Sequence, residues 1–464
     1  MRLEKEWSEM KDKKIRMDVH ERPAWHEWIM LSFQHLFAMF GATVLVPLLT
    51  GMNPAVALFT SGAGTLAYMI VTRGKIPAYL GSSFAFIVPI LTVSQGGKNM
   101  GEALFGCFAI GIMYGVVALV VYKFGIKWLD HLLPPVVIGS VVIVIGLALA
   151  GTAVDMASQK DVIQNMPQTA QEWQNIQGTI KAVDPEQGTV TVHTYSLENF
   201  LVALATLAIA IVTSMFGRGF LNIIPILAGV IGGYLIAIAA GMVDFTPVKE
   251  AAWFAVPEFT KPVVSWHAVL VMLPVTLVVL AEHIGHLIVT GNIMERDLTR
   301  DPGLHRSLLG DGIAVSAAAL IGGPPSTTYG ENIGVMAITR VFSVWVIGGA
   351  ALLAMSFAFI GKLSALIQTI PTPVMGGVSI LLFGIIASAG LRMLIEHRID
   401  LGERRNLVIA AVVLVIGIGG AVLRFADIHL ELEGMALATV VGIVLNAILP
   451  RQQRQAGAQE AEVA

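Results

Sequence analysis

Two carboxylates and a cluster of histidines stand where the surrounding sequence is apolar. Glu282 follows fourteen uncharged residues, Ala268 to Ala281, with His283 directly after it and His286 four positions on. Residues four apart share a helix face, so Glu282 and His286 lie within side-chain reach of each other. Glu331 is the only charged residue between Asp311 and Arg340, and His35 is similarly isolated in an apolar run. An ionised carboxylate only accepts hydrogen bonds, whereas a protonated one also donates. A pair of such acids can therefore match a neutral polar ligand and carry a proton with it. Asp311, in Gly310-Asp311-Gly312, suits a helix end as readily as a functional site. The run Glu282-His283-Ile284-Gly285-His286 spaces its histidines by three, whereas the zinc helix His-Glu-x-x-His spaces them by four. With no third ligand at matching spacing, no metal, cofactor or enzymatic chemistry is expected.

The elements that must hold these groups are set by composition. The chain has 464 residues, 55% hydrophobic and 13% charged, and its mean hydropathy is +0.76. A soluble domain carries roughly twice that share of charge. A net charge of −3 offers no basic surface for nucleic acid, and the single Cys107 cannot form an internal disulfide. A polytopic membrane protein in contact with the lipid bilayer is expected. Runs long enough for a spanning helix of about 20 residues lie near 28–50, 54–72, 101–122, 132–153, 198–216, 221–242, 266–291, 308–322, 341–361, 371–391, 406–423 and 432–449. Two further stretches, 78–95 and 324–339, are apolar but rich in Gly, Ser, Thr and Pro, and read as interrupted spans. That makes fourteen. With both termini cytoplasmic, 22 of the 29 Lys and Arg residues fall inside and seven outside, as the positive-inside rule requires. Residues 1–27 are charged without an apolar core and are not a cleavable signal. The polar insertion at 154–197 falls outside; within it, 179–183 and 189–193 alternate around Asp184-Pro185-Glu186-Gln187-Gly188, a β-hairpin pattern to which no role is assigned. The polar tail, 450–464, is expected to lack regular structure.

Segments of the first half recur in the second. A shift of 248 carries Gln34-His35 onto Glu282-His283, and Tyr79-Leu80-Gly81-Ser82-Ser83 onto Thr327-Thr328-Tyr329-Gly330-Glu331. A shift of 238 carries Pro135, Gly139 and Gly146 onto Pro373, Gly377 and Gly384. Seven spans per copy is an odd number, so the copies are expected in opposite orientations. Inverted repeats with paired broken helices point to a secondary transporter with its substrate near the midplane. Irregular backbone survives at that depth only inside protein or beside a cavity, so the two breaks are expected to build a polar pocket. Re-entrant loops with a packing role alone are the competing reading.

Four motifs then carry a resemblance. Gln34-His35-Leu36-Phe37-Ala38-Met39-Phe40-Gly41-Ala42-Thr43 resembles the first-span signature of the nucleobase–ascorbate transporter family. Glu331-Asn332-Ile333-Gly334, running to Thr339-Arg340, is similar to its long motif in span 10. Pro77-Ala78-Tyr79-Leu80-Gly81-Ser82-Ser83-Phe84-Ala85-Phe86 and Ala281-Glu282-His283-Ile284-Gly285-His286 resemble its uracil-transporting branch. The likeness runs from about residue 22 to 450, although the insertion is longer than that branch leads one to expect. It implies an all-α integral membrane fold with a core domain of spans 1–4 and 8–11 and a gate domain of spans 5–7 and 12–14. On the chain, core spans 1–4 and gate span 5 occupy 28–153, gate spans 6–7 occupy 198–242, core spans 8–11 occupy 266–361 and gate spans 12–14 occupy 371–449. Spans 3 and 10 would each contain a short extended segment. The resemblance places Glu282 and Glu331 on the pyrimidine ring and gives main-chain contacts to Phe84 and Gly330. It puts Ala42, Tyr329 and Ser83 at the pocket, His286 in support of Glu282, and His35 and Asn332 in a surrounding network. It implies uracil:proton symport across the inner membrane, with Glu282 and His286 as the coupling site and a homodimer through the gate domain. Xanthine or urate uptake is the alternative. Anion transport would suit positive charge at the site, which two carboxylates oppose.

Overall fold

The computed structural model describes residues 15–94, 97–166, 178–184, 189–218, 221, 224–425 and 430–450. The first fourteen residues, the expected hairpin turn at 185–188 and the tail from 451 lie outside the described residues.

Apolar length dominates the helices, because backbone groups in lipid must be satisfied within the segment. Among the described residues, seven helical stretches are long and apolar enough to cross a bilayer. These are α1 (Trp25–Thr50), α2 (Pro54–Val71), α4 (Met100–Phe124), α6 (Pro135–Ala148) running on into α7 (Ala150–Ser158), α8 (Leu197–Phe216), α12 (Val275–Met294) and α17 (Thr372–Glu396). Shorter apolar helices join them: α3 (Ile87–Ser94), α9 (Pro225–Ala239), α15 (Val344–Ala358) and α19 (Gly434–Ile448), with the mixed helices α13 (Leu304–Leu320) and α18 (Arg404–Ile418). Short helices α5 (Lys127–Leu132), α10 (Thr246–Glu250), α11 (Trp266–Met272) and α16 (Gly361–Gln368) fill connections. The boundaries follow local chemistry. The Asn53 side chain accepts from the Ala55 N–H at the start of α2, where Pro54 needs no partner. Pro274 separates α11 from α12, dividing what the sequence reads as one span.

Helices α1, α2, α4, α13 and α15 pack together, and α6, α8, α17, α18 and α19 form a second group. Small residues let the backbones approach. A Cβ at Gly312 of α13 would lie 2.7 Å from the Gly111 carbonyl oxygen on α4, and one at Gly390 of α17 would lie 2.7 Å from the Gly139 carbonyl oxygen on α6.

Both expected breaks are present. The chain leaves α2 and runs through β1 (Leu80–Ser82) and a 3₁₀ turn (Phe84–Phe86) into α3; later β5 (Ser326–Thr328) leads into α14 (Gly330–Thr339). The strands pair antiparallel, Leu80 with Thr328, Gly81 with Thr327 and Ser82 with Ser326. Each strand thereby satisfies in the other the backbone groups that a broken helix exposes.

Elsewhere the structure departs from an all-helical expectation. The insertion is a three-stranded sheet, β2 (Gln159–Asn165), β3 (Thr179–Asp184) and β4 (Thr189–Tyr195), with β4 in the middle. The added strand β2 lacks an apolar alternation, Gln-Lys-Asp-Val-Ile-Gln-Asn, so sequence gives only the β3–β4 pair. A second hairpin, β6 (Val422–Phe425) with β7 (Leu430–Glu433), joins α18 to α19. Its four-residue strands, Val-Leu-Arg-Phe and Leu-Glu-Leu-Glu, are too short beside long apolar helices to stand out in sequence. Finally, the segment before α1 lies across the ends of α14 and α15: Arg16 and Met17 donate to the Arg340 carbonyl, Phe342 to the Met17 carbonyl and Val344 to the Val19 carbonyl. Asp18 accepts from Arg296 at 2.8 Å.

Candidate functional site

The site grows from the β1–β5 pair. The Ser83 N–H donates to the Pro325 carbonyl and the Tyr329 N–H to the Tyr79 carbonyl, each at 2.9 Å, extending the pairing at both ends. Helices start immediately beyond, and the first N–H groups of a helix lack intrahelical acceptors. Phe84 and Gly330 stand at those starts. Helix α12 packs on β5, on the 3₁₀ turn and on α14, so it brings Glu282 and His286 to the same place.

Glu282 and Glu331 are half-buried, and Oε2 of Glu282 is buried with no hydrogen-bond partner among the described residues. His286 directs Nδ1 to the Thr328 hydroxyl at 3.1 Å, and its Nε2 lies 3.5 Å from where a Cβ on Gly330 would be. The expected role of His286 as support for Glu282 therefore meets a competing partner on β5. Asn332 donates from Nδ2 to His35 Nδ1 at 3.0 Å and to the His35 carbonyl at 3.1 Å, tying α14 to α1. Ala42 is buried on α1, and Ser83 is buried with no partner for its hydroxyl. The Phe84 ring meets Phe383 of α17 edge-on at 5.7 Å. Beside this turn lies a cleft of about 210 Å³ lined by Ala85, Val88 and Thr92 of the turn and α3 and by Gly417, Glu433 and Met435. It reaches Ala85, but neither Glu282 nor Glu331 lines it. Among the described residues no group of three or more His, Cys, Asp and Glu is placed to hold a metal ion.

Several polar residues at the site carry no isolated sequence signal. Tyr329 lies flat against Gly81, whose missing side chain makes room for the ring. Thr65 accepts from the Leu80 N–H at 2.9 Å, and Ser61 meets the Tyr79 hydroxyl at 3.2 Å, so α2 clamps the entry to β1. One position round α12 from Glu282, His283 Nδ1 lies 3.0 Å from Asp311 Oδ2, both wholly buried, although the angles fall short of a hydrogen bond. His283 Nε2 meets Ser307 Oγ at 2.7 Å, and Ser307 meets the Tyr68 hydroxyl at 2.6 Å. The isolation of Asp311 in sequence hints at this cluster; its partners are evident only in three dimensions.

With this geometry established, the chain can be set beside known proteins. A family model described as "Permease family" matches residues 26–177 and 174–424. The uracil permease of Bacillus caldolyticus is 53% identical over 446 residues, 95% of this chain and 96% of that one. The uracil permease of Escherichia coli (strain K12) is 48% identical over 430 residues, 93% of each. Among solved structures, a murine solute carrier 26 family member A9 anion transporter in the inward-facing state superposes with a TM-score of 0.67. The match covers 95% of this chain and 70% of that one at 11% identity, a likeness of fold alone.

Proposed function

Since the chain belongs to this permease family, the nucleobase–ascorbate transporters, we propose that it takes up uracil together with a proton as a secondary active transporter. The observation that carries the reading is the antiparallel β1–β5 pair with the half-buried Glu282 and Glu331 beside it. Two broken spans meeting inside the protein supply main-chain donors and acceptors where a continuous helix has none to spare. Uracil is planar and neutral, with two N–H donors and two carbonyl acceptors. Glu331 accepts from a ring N–H, Glu282 pairs with the neighbouring edge, and the Phe84 and Gly330 main chain meets the carbonyls. Ala42, Ser83 and Tyr329 bound the pocket. A missing partner in so dry a site costs about 1–3 kcal/mol, enough to select among bases. Uracil as substrate is supported by the names of the two bacterial relatives.

Coupling follows from the acids. A buried charge without a partner is costly, so Glu282 enters the transport cycle protonated and releases its proton when the site opens to the other side. His286, on the same helix face, tunes that exchange, and His35 with Asn332 steadies the surrounding network. Fourteen spans in two inverted repeats, with spans 1–4 and 8–11 as a core moving against a gate of spans 5–7 and 12–14, agree with the two helix groups and the paired breaks. The 22 basic residues on one side support cytoplasmic termini and an inner-membrane location, and dimerisation through the gate leaves the core free to move. Binding of radiolabelled uracil to purified protein, with thymine, xanthine and urate as competitors, tests the substrate. Uracil competes at the lowest concentration; stronger competition by xanthine or urate selects the alternative.

A further inference from the structure

Three hydroxyls from three separate elements close a ring of hydrogen bonds behind the proposed base site. Thr43 of α1 donates from Oγ1 to the Tyr329 hydroxyl at 3.1 Å. Tyr329 donates to the Ser82 carbonyl at 3.1 Å. Ser82, at the end of β1, donates from Oγ to the Thr43 carbonyl at 3.2 Å. All three residues are at most 3% exposed. Every hydroxyl hydrogen is used: the Tyr329 hydroxyl both accepts and donates, so its two bonds reinforce each other, and the Ser82 hydroxyl closes the circuit back to the Thr43 main chain. The other neighbour of Thr43 Oγ1 is Met39 Sδ at 3.2 Å, a weak acceptor that does not compete with a phenol oxygen.

This geometry bears on what Tyr329 does. Its ring is held against Gly81 and its hydroxyl proton is committed to Ser82, leaving no O–H to offer a ligand. The same bonds fasten both breaks to α1, and through Thr43 to the residue beside Ala42. We infer that Thr43, Ser82 and Tyr329 form a positioning triad that sets the spacing between the two broken spans, with Tyr329 acting on the base through that spacing and not through a hydrogen bond of its own. The inference rests on the base site proposed above. The triad residues are positioning residues for recognition; Glu282 and Glu331 remain the groups that touch the base.

The experiment is a set of uracil-binding isotherms on the purified full chain for Thr43→Val, Thr43→Ser, Tyr329→Phe and the Thr43→Val/Tyr329→Phe double variant, each with its thermal unfolding midpoint. Opening the ring at one bond forfeits the arrangement, so Thr43→Val and Tyr329→Phe each weaken binding by about tenfold, and the double variant by about the same factor, since partners in one network are not additive. Thr43→Ser restores binding to within about threefold of the parent, a rescue that loss of bulk packing does not allow. In transport the loss falls on KM, with the maximal rate held. Should Thr43→Val fail to fold, the Ser and Phe variants carry the comparison. Parental binding by Thr43→Val alongside a large loss in Tyr329→Phe means that Tyr329 bonds the base directly, and overturns the triad. So does a double variant with multiplied losses, or a Ser variant no better than Val. Glu331→Ala in the same assay separates the two readings. Parental binding in that variant removes the base site itself, whereas its loss beside an unaffected Thr43→Val removes the triad alone.

Discussion

At the scale of single residues, the two glutamates differ in their surroundings. Glu331 opens α14 directly after β5, whereas Glu282 sits on α12 with Oε2 buried and without a partner among the described residues. Replacing Glu331 with Ala removes an acceptor in a dry site and is expected to abolish high-affinity uracil binding in the purified protein; unchanged affinity would move the site. Glu282→Gln keeps the shape and hydrogen-bonding reach but no longer exchanges a proton. It should bind base in the same assay yet fail to concentrate it against a proton gradient, and undiminished proton-driven accumulation would place coupling elsewhere. His283 makes a third case. Removing one member of a buried pair leaves a charge or a polar group stranded, at about 3–5 kcal/mol, so His283→Ala should lower the thermal unfolding midpoint clearly. Isolation of an acid or histidine in an apolar run is a legible sequence signal, and it picks out Glu282, Glu331 and His35; Asp311, between two glycines, reads as a helix end as readily and instead lies within α13. The hydroxyls of Thr43, Ser82 and Ser307 are not legible in that way, because Ser and Thr cross membranes routinely while bonded to their own helix, as Thr50 is to Val46. Their long-range partners, such as Tyr329 for Thr43, lie hundreds of positions away.

Among elements, the crossed strands are the feature on which the rest depends. Gly-Ser-Ser and Thr-Thr-Tyr-Gly-Glu-Asn are poor helix, and that was enough to locate both breaks in sequence. The pairing register Gly81 with Thr327 was not, because three residues carry no alternation to fix it. Gly81 is the sensitive point. A Cβ there runs into the Tyr329 ring, so Gly81→Ala should cost about 1–3 kcal/mol by overpacking and weaken uracil binding together with the unfolding midpoint. A variant that keeps both would show that the ring has room to move. The strap over α14 and α15 offers a prediction of opposite character. Asp18 is held below the ordinary carboxylate range by the Val19 N–H, with Arg296 adding to the effect against partial burial. A depressed carboxyl contributes above its unfolded value of 3.8 and loses that contribution as pH falls through the lowered one. Being solvent-screened, the pair is worth about 0.2–1 kcal/mol. Amide exchange at Met17 and Val19 should therefore stay slow at neutral pH, and rise about twofold to fivefold in Asp18→Asn. Equal exchange in the variant would show that the strap is held by its backbone bonds alone.

For the whole molecule, a low share of charge says only that the chain belongs in a membrane; the placement of the charges says more. Basic residues gather in the loops expected on one side, while Glu331 lies in the helix beyond one break, Glu282 on the helix packed against both, and Asp311 is buried beside His283. The two helix groups agree with the proposed division into a core and a gate, and the Phe84 ring meets Phe383 of the second group. Alternation in the sequence locates β3 and β4, whereas the polar β2 carries no such pattern and the β6–β7 hairpin is hidden between two apolar helices. The proposed transport has a neutral base and a proton crossing together at Glu282 and Glu331. It is tested most directly by reconstituting the full chain in liposomes that enclose a pH-sensitive dye and adding uracil outside. Uracil should acidify the lumen in the parent and leave it unchanged in Glu331→Ala. Uracil uptake without acidification, or equal acidification in that variant, would contradict the account.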